Sequence, residues 1–131
     1  MVLLTKKYFT RDEANQLLPY VREELAFLQE AKRRFYKLYQ EREQIRRKQP
    51  ASEKELFDVE CRLEFMEMEA QMHISSLIGK GIQVKDIDIG LFDFPAIIDG
   101  EEVLLCWRAG EDSITYYHGL HDGFSGRKRI D

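Results

Sequence analysis

The chain has 131 residues, of which 34% are charged and 44% are hydrophobic. This length suits one domain, or one domain with a long helical arm. No apolar run approaches the roughly 18 residues needed to cross a bilayer, and the opening MVLLTKKYF is too short and too soon charged for a signal peptide. Two cysteines make no disulfide framework. These features predict a cytoplasmic protein with reduced thiols and exclude a membrane protein.

The net charge of −4 is distributed unevenly along the chain. Residues 1–50 carry 12 Lys/Arg against 7 Asp/Glu, giving +5, and residues 51–70 carry 2 against 7, giving −5. Residues 71–131 carry 6 against 10, giving −4. A basic block followed by an acidic block predicts that the two pair with each other.

A first helix is predicted over residues 10–48. It begins at a capping box, Thr10-Arg-Asp-Glu13, and apolar residues then recur at spacings of three and four. Pro19 lies beyond the first turn, so the pattern predicts a kink near residue 19.

A second helix is predicted over residues 52–79. Ser52-Glu-Lys-Glu55 is a second capping box, and an apolar stripe follows until Gly79 and Gly81 end it.

A turn near residue 50 folds these helices into an antiparallel, coiled-coil-like hairpin. The register pairs Arg34 with Glu67 and Lys32 with Glu69, so the basic run is interpreted as a solvated flank paired with its neighbour. Two helices alone leave much of their apolar surface wet. We therefore predict a homodimer whose two hairpins form a four-helix bundle.

A three-stranded antiparallel β-meander is predicted over residues 90–119, which makes the fold class α+β. Asp99-Gly100 is a strong hairpin signal, and pairing across it places Asp93 opposite Cys106. A second hairpin at Gly110-Glu111 places Thr115 opposite Cys106.

These two registers divide the meander into an apolar face and a mixed face. The apolar face packs on the helices, contains Trp107 and ends at His118. Asp93 and Cys106 lie on the other face, where a carboxylate beside the thiol disfavours the thiolate and hence thiol catalysis. One site that uses both Asp93 and His118 then requires a twist or bulge in the last strand.

A Gly-rich tail, residues 120–131, follows the meander. His118, His121 and Asp122 could supply imidazole and carboxylate ligands to a divalent metal, or His118 could simply cap the sheet edge. Arg127 and the backbone N–H groups of nearby glycines could bind a carboxylate or phosphate, or the tail could be flexible.

The chain resembles a family of small, uncharacterised bacterial proteins that carry a domain of unknown function, over nearly its whole length. The residues that carry the resemblance are Tyr8-Phe9-Thr10, Glu13-Ala14-Asn15, Leu17-Leu18-Pro19, Val84-Lys85-Asp86, Asp93-Phe94-Pro95-Ala96, Leu105-Cys106-Trp107-Arg108, Gly110-Glu111, His118, Gly123-Phe124 and Gly126-Arg127.

The resemblance implies a bacterial cytoplasmic protein without an established activity. His121 does not match the family pattern. The resemblance therefore favours Asp93 and His118 as metal candidates, with Arg108, Glu111 and Arg127 as candidates for binding an anionic ligand.

Most residues have a structural use in this interpretation, which favours a non-enzymatic, dimeric interaction or scaffolding module that has a protein partner. The first alternative is a metal- or anion-binding protein, with or without enzymatic activity, whose site lies at the sheet end and the Gly119–Arg127 loop. The second is nucleic-acid binding through the basic half of helix 1, which requires cations free of helix 2.

Overall fold

A computed structural model describes residues 7–131, which form helices followed by an antiparallel sheet. The predicted α+β class is confirmed. None of the helices in this range is long and apolar enough to span a membrane. The elements are α1 (Arg11–Gln16), α2 (Leu18–Arg47), α3 (Glu53–Gly79), β1 (Gln83–Asp86), β2 (Leu91–Ile98), β3 (Glu101–Arg108), β4 (Tyr116–Gly119), a 3₁₀ turn (Phe124–Gly126) and β5 (Lys128–Arg129).

The predicted single helix over residues 10–48 is two helices. The Thr10–Glu13 capping box is complete and starts α1. The helix is interrupted at Leu17, and α2 begins at Leu18. Pro19 therefore lies in the first turn of α2, where its missing N–H has no intrahelical partner to lose. A helix start replaces the expected kink.

Helices α2 and α3 form the predicted antiparallel hairpin, with Tyr20 of α2 bonded to Ser76 of α3 at one end and Arg46 to Glu60 at the other. The expected pairings of Arg34 with Glu67 and of Lys32 with Glu69 are wrong. Arg34 pairs with Glu30 in its own helix, and Lys32 pairs with Asp88, which precedes β2.

The sheet has five strands in the order β1-β2-β3-β4-β5, all antiparallel, rather than the predicted three. The missed strands are the outer ones, which have four and two residues. The sheet covers the half of the helices that carries Val21, Leu25 and Leu28. This apolar surface is therefore buried within the chain, and it is not available for the predicted four-helix bundle.

The register between β2 and β3 is confirmed. Asp99 and Gly100 both have positive φ, of 53° and 78°, as a two-residue type I′ hairpin turn requires. Asp93 pairs with Cys106 across this hairpin.

The register between β3 and β4 is wrong by one residue. Cys106 pairs with Tyr116 rather than with Thr115, and Leu104 pairs with His118. Side chains alternate between the faces of a strand, so this shift moves His118 to the face that carries Asp93 and Cys106.

The connection between β3 and β4 explains the shift. It is no tight hairpin: the Ile114 N–H donates to Asn15 Oδ1 (2.7 Å), and the Ile114 carbonyl accepts from Arg11 Nε (2.9 Å). Both partners come from α1. The helix thus holds Ile114 in the core, and β4 starts only at Tyr116.

The core lies between the helices and the predicted apolar face of the sheet. Phe92, Phe94, Leu105, Trp107 and Ile114 are all buried there against α1, α2 and α3. A second, smaller cluster fills the far end of the helical hairpin, beyond the sheet, around Leu38, Ile45, Val59 and Leu63.

Asn15→Ala removes the acceptor of the Ile114 N–H and leaves that buried donor unpaired. We expect the free energy of unfolding to fall by about 1–3 kcal/mol, as measured by urea denaturation. Gln16→Ala, at the exposed neighbouring position, should change it by less than about 0.5 kcal/mol. Equal effects would mean that the Asn15 contact does not hold the connection.

Candidate functional site

Three adjacent strands bring Asp93, Cys106 and His118 together on the outer face of the sheet, away from the helices. Each residue contributes one atom that can bind a metal: a carboxylate oxygen, a thiol sulfur and an imidazole nitrogen. These three atoms lie within 4.8 Å of one another. The relative exposures of Asp93, Cys106 and His118 are 2%, 0% and 4%. Burying polar groups costs free energy unless they are paired, so the convergence of these three groups requires an explanation.

Both ring nitrogens of His118 have close neighbours. Nδ1 lies 2.8 Å from the Gly119 carbonyl oxygen, and Nε2 lies 3.0 Å from Asp93 Oδ2. A carbonyl can only accept a hydrogen bond, so Nδ1 must carry a hydrogen and donate it. Nε2 is therefore the nitrogen that faces Asp93, either as the donor of an imidazolium or with a free lone pair.

The second carboxylate oxygen of Asp93 is unusual. Oδ1 is buried and has no hydrogen-bond donor of ordinary geometry anywhere in residues 7–131. An unpaired buried carboxylate oxygen costs free energy that a proton or a cation would recover.

Burial raises the pKa of the Cys106 thiol from 9.0 to about 12, and the negative charge of Asp93 adds to the effect. Cys106 is therefore a neutral thiol at physiological pH when only protons compete for it. His118 Nδ1 already donates to the Gly119 carbonyl, and Nε2 has Asp93 Oδ2 as its hydrogen-bond partner at 3.0 Å rather than the thiol. The arrangement does not fit a Cys–His nucleophile pair.

Glu111 and Arg127 form an ion pair beside the cluster. Glu111 Oε2 bonds to the Arg127 guanidinium, and Oε1 accepts from the Arg108 backbone N–H (2.7 Å). Arg127 also stacks on Tyr116, the cross-strand neighbour of Cys106, and on Phe124. These contacts hold the tail in an ordered arrangement over the outer face, and they engage the guanidinium that the sequence offered to an anion.

The Arg108 side chain is exposed, and its guanidinium carbon lies 5.6 Å from the centroid of the Phe124 ring.

His121 and Asp122 lie in the turn after β4, apart from the cluster. His121 is exposed, and Asp122 Oδ2 accepts from the Gly119 N–H (3.1 Å). A Cβ at Gly119 would come within 2.5 Å of Asp122 Oδ2, and one at Gly126 within 2.6 Å of Asp122 Cβ, so a side chain at either position would displace Asp122. The Asp122 carboxylate thus organises the turn.

The third histidine, His73, lies between the helices. Its Nδ1 is 2.6 Å from Glu24 Oε2, and its ring stacks on Phe27 at 3.9 Å. His73 is thus partnered at the helix interface and lies outside the cluster.

Sequence reasoning named two members of the cluster, Asp93 and His118, but not the third as a ligand. Cys106 was already opposite Asp93 in the predicted register, which is the signal that was available. The one-residue error between β3 and β4 hid the rest, because it moved His118 to the opposite face.

Comparison with protein families identifies a match over nearly the whole chain. A family model described as "Uncharacterized conserved protein (DUF2203)" matches residues 7–130. No curated protein and no solved structure matches the chain.

The raised pKa and the burial of Cys106 predict that its thiol reacts slowly with alkylating reagents. In metal-free native protein at pH 9, where an ordinary thiol is about half ionised, iodoacetamide should label Cys61, which is exposed, and leave Cys106 unmodified. Peptide mass spectrometry distinguishes the two, and labelling in denaturant gives the total. Rapid labelling of Cys106 in folded Cys61→Ser protein would contradict the burial and the pKa together.

Proposed function

The chain belongs to the DUF2203 family of uncharacterised conserved proteins, and we propose that it binds one divalent transition-metal ion through Asp93, Cys106 and His118. The observation that carries the proposal is the convergence of a carboxylate, a thiol and an imidazole within 4.8 Å in a buried place. Each of these groups is a common metal ligand.

The orientation of His118 supports the proposal. A metal-binding histidine usually donates its second ring N–H to a carbonyl or carboxylate, which fixes the tautomer and points the other nitrogen at the metal. Here the Gly119 carbonyl accepts from Nδ1, and Nε2 points toward Asp93 and Cys106.

A buried His118–Asp93 ion pair held together by a proton is the competing explanation. It accounts for the 3.0 Å contact between Nε2 and Oδ2. It leaves Asp93 Oδ1 without a donor of ordinary hydrogen-bond geometry, and the adjacent Cys106 thiol offers that carboxylate only a weak donor. A divalent cation accounts for all three groups, because its charge offsets the Asp93 carboxylate and the thiolate that Cys106 becomes when it coordinates.

The donor set favours zinc. One sulfur, one nitrogen and one oxygen donor suit a borderline-soft ion in tetrahedral geometry, and hard ions such as Mg²⁺ prefer oxygen alone. Three protein ligands leave one coordination position for water or for another ligand, which is the pattern of zinc sites that perform chemistry.

Cobalt(II) is the probe for this proposal, because a thiolate ligand gives bound Co²⁺ a charge-transfer absorption in the near ultraviolet. We expect EDTA-treated protein to bind one Co²⁺ per chain with this absorption, and Zn²⁺ to displace the cobalt. Cys106→Ser should abolish the absorption. His118→Ala and Asp93→Asn should weaken Co²⁺ binding by at least about tenfold.

Two matched variants control the titration. Cys61→Ser removes the other, exposed thiol, and His121→Ala removes a neighbouring imidazole outside the cluster. Both should bind Co²⁺ as the wild type does. The proposal fails if folded wild-type protein binds no Co²⁺ or Zn²⁺, or if the absorption survives Cys106→Ser and disappears in Cys61→Ser.

A second candidate function, an interaction module, is favoured by a different part of the molecule. The outer side of α3 exposes Phe57, Phe65, Met68 and Met72, which lie on the helical hairpin rather than on the sheet. The two functions are compatible, since they use separate surfaces.

A further inference from the structure

Helix α3 is apolar on two opposite sides. Its inner side buries Val59, Leu63 and Leu77. Its outer side carries Phe57, Phe65, Met68 and Met72 with exposures of 68%, 63%, 65% and 71%, and the exposed Cys61 lies in the same row. At 100° per residue these five positions fall within an arc of roughly 80°, which we name the outer stripe.

The outer stripe is large for a surface that faces only water. Four Phe and Met side chains, each about two-thirds exposed, present on the order of 500 Å² of apolar area. Patches of this size on monomers commonly mark binding sites. An ordinary interface buries about 800 Å² per partner, of which somewhat more than half is apolar. The outer stripe therefore supplies the apolar centre of one such interface.

The outer stripe is complementary to itself. Its members are arranged almost symmetrically about Phe65, with Cys61 and Met68 on either side and Phe57 and Met72 beyond them. Two antiparallel copies of α3 related by a two-fold axis at Phe65 would place each of these residues against an apolar residue of the other copy. A two-fold interface requires such self-complementarity.

Charge on one flank of the outer stripe fits the same arrangement. Arg62 and Glu69 are seven residues apart, lie on the same flank and are centred close to Phe65. Neither forms an ion pair within residues 7–131, and both are exposed. In an antiparallel pair, like flanks meet, so each Arg62 lies beside the Glu69 of the other copy.

We propose that a second copy of this chain binds here, with the outer stripes of the two α3 helices packed antiparallel about Phe65. The interface lies on the helical hairpin, away from the Asp93–Cys106–His118 cluster, so the proposal is independent of metal binding. It rests on the interaction role proposed above and specifies its partner.

The opposite flank imposes a cost on the same arrangement. Glu64 and Glu67 lie there, and the antiparallel pairing sets them beside their counterparts. Glu64→Gln should therefore tighten the dimer, whereas Glu69→Gln should weaken it. The same Glu→Gln substitution is thus expected to change the dimer affinity in opposite directions on the two flanks.

Sedimentation equilibrium of the full chain at tens of micromolar tests the surface. The wild type should be a dimer, and Phe65→Asp, at an exposed position, should weaken association by about a hundredfold or more without loss of helical circular dichroism. Tyr36→Asp, at an equally exposed aromatic residue of α2, should leave the dimer intact. A monomeric wild type, or a dimer that tolerates Phe65→Asp, overturns the proposal.

Charge exchange tests the pairing. Arg62→Glu and Glu69→Arg should each weaken the dimer by about tenfold, and the double variant should return to within about threefold of the wild type. Additive losses in the double variant would overturn the antiparallel register.

Disulfide formation gives a second test of the register. In a Cys61→Ser background, Phe65→Cys lies opposite itself and should form a disulfide-linked dimer under mild oxidation, since bridged Cα atoms lie within about 7 Å. Phe57→Cys lies roughly 24 Å from its counterpart along the helix and should not. Equal cross-linking of the two variants would contradict the two-fold axis at Phe65.

Discussion

The contact between Asn15 and Ile114 determines how the last part of the sheet is built. It joins two residues that are 99 positions apart, and Arg11 holds the Ile114 carbonyl from the same helix. Because these bonds fix the connection after β3, they also fix the residue at which β4 begins. The face that each β4 side chain occupies follows from that starting point, and so does the position of His118 beside Asp93 and Cys106.

The outer face of the sheet therefore also contains buried side chains. Asp93, Cys106 and His118 are as buried as the apolar residues on the helix side. The Glu111–Arg127 pair and the stacking of Arg127 on Tyr116 and Phe124 keep the tail over this face. A low-dielectric environment strengthens any charge interaction inside it and makes an unpaired group costly. This environment is one of the grounds on which we propose a cation at the cluster.

Local sequence signals predicted the parts of the fold that local chemistry determines. Asp99-Gly100 has a strong preference for the type I′ turn, and it set the register of β2 on β3 correctly. The register of β4 depends on the contact of Ile114 with Asn15, which is 99 positions away, so no residue close to β4 in the sequence indicates it. The charge blocks misled for another reason: exposed ion pairs contribute only tenths of a kcal/mol, so Arg34 can equally well pair with Glu30 in its own helix.

The candidate site was predicted in the same uneven way. Asp93 and His118 were named, and the resemblance to the family supported both. His121 and Asp122 were drawn in by their closeness in sequence, but the Asp122 carboxylate is used to close the turn at Gly119. Closeness in sequence is a poor guide to a site in a sheet, because its ligands come from neighbouring strands rather than from neighbouring positions.

Glu111 connects the two faces of the sheet through different atoms. Its backbone carbonyl accepts from Trp107 Nε1 (2.9 Å) on the core side, and its carboxylate bonds to Arg127 on the outer side. Trp107 is the single tryptophan of the chain, and it follows Cys106 directly. The protein therefore carries a natural fluorophore. The indole N–H of Trp107 donates to Glu111, and the side chain of Glu111 holds Arg127 over the outer face. The emission of Trp107 is an optical reporter of events at that face, without any added label.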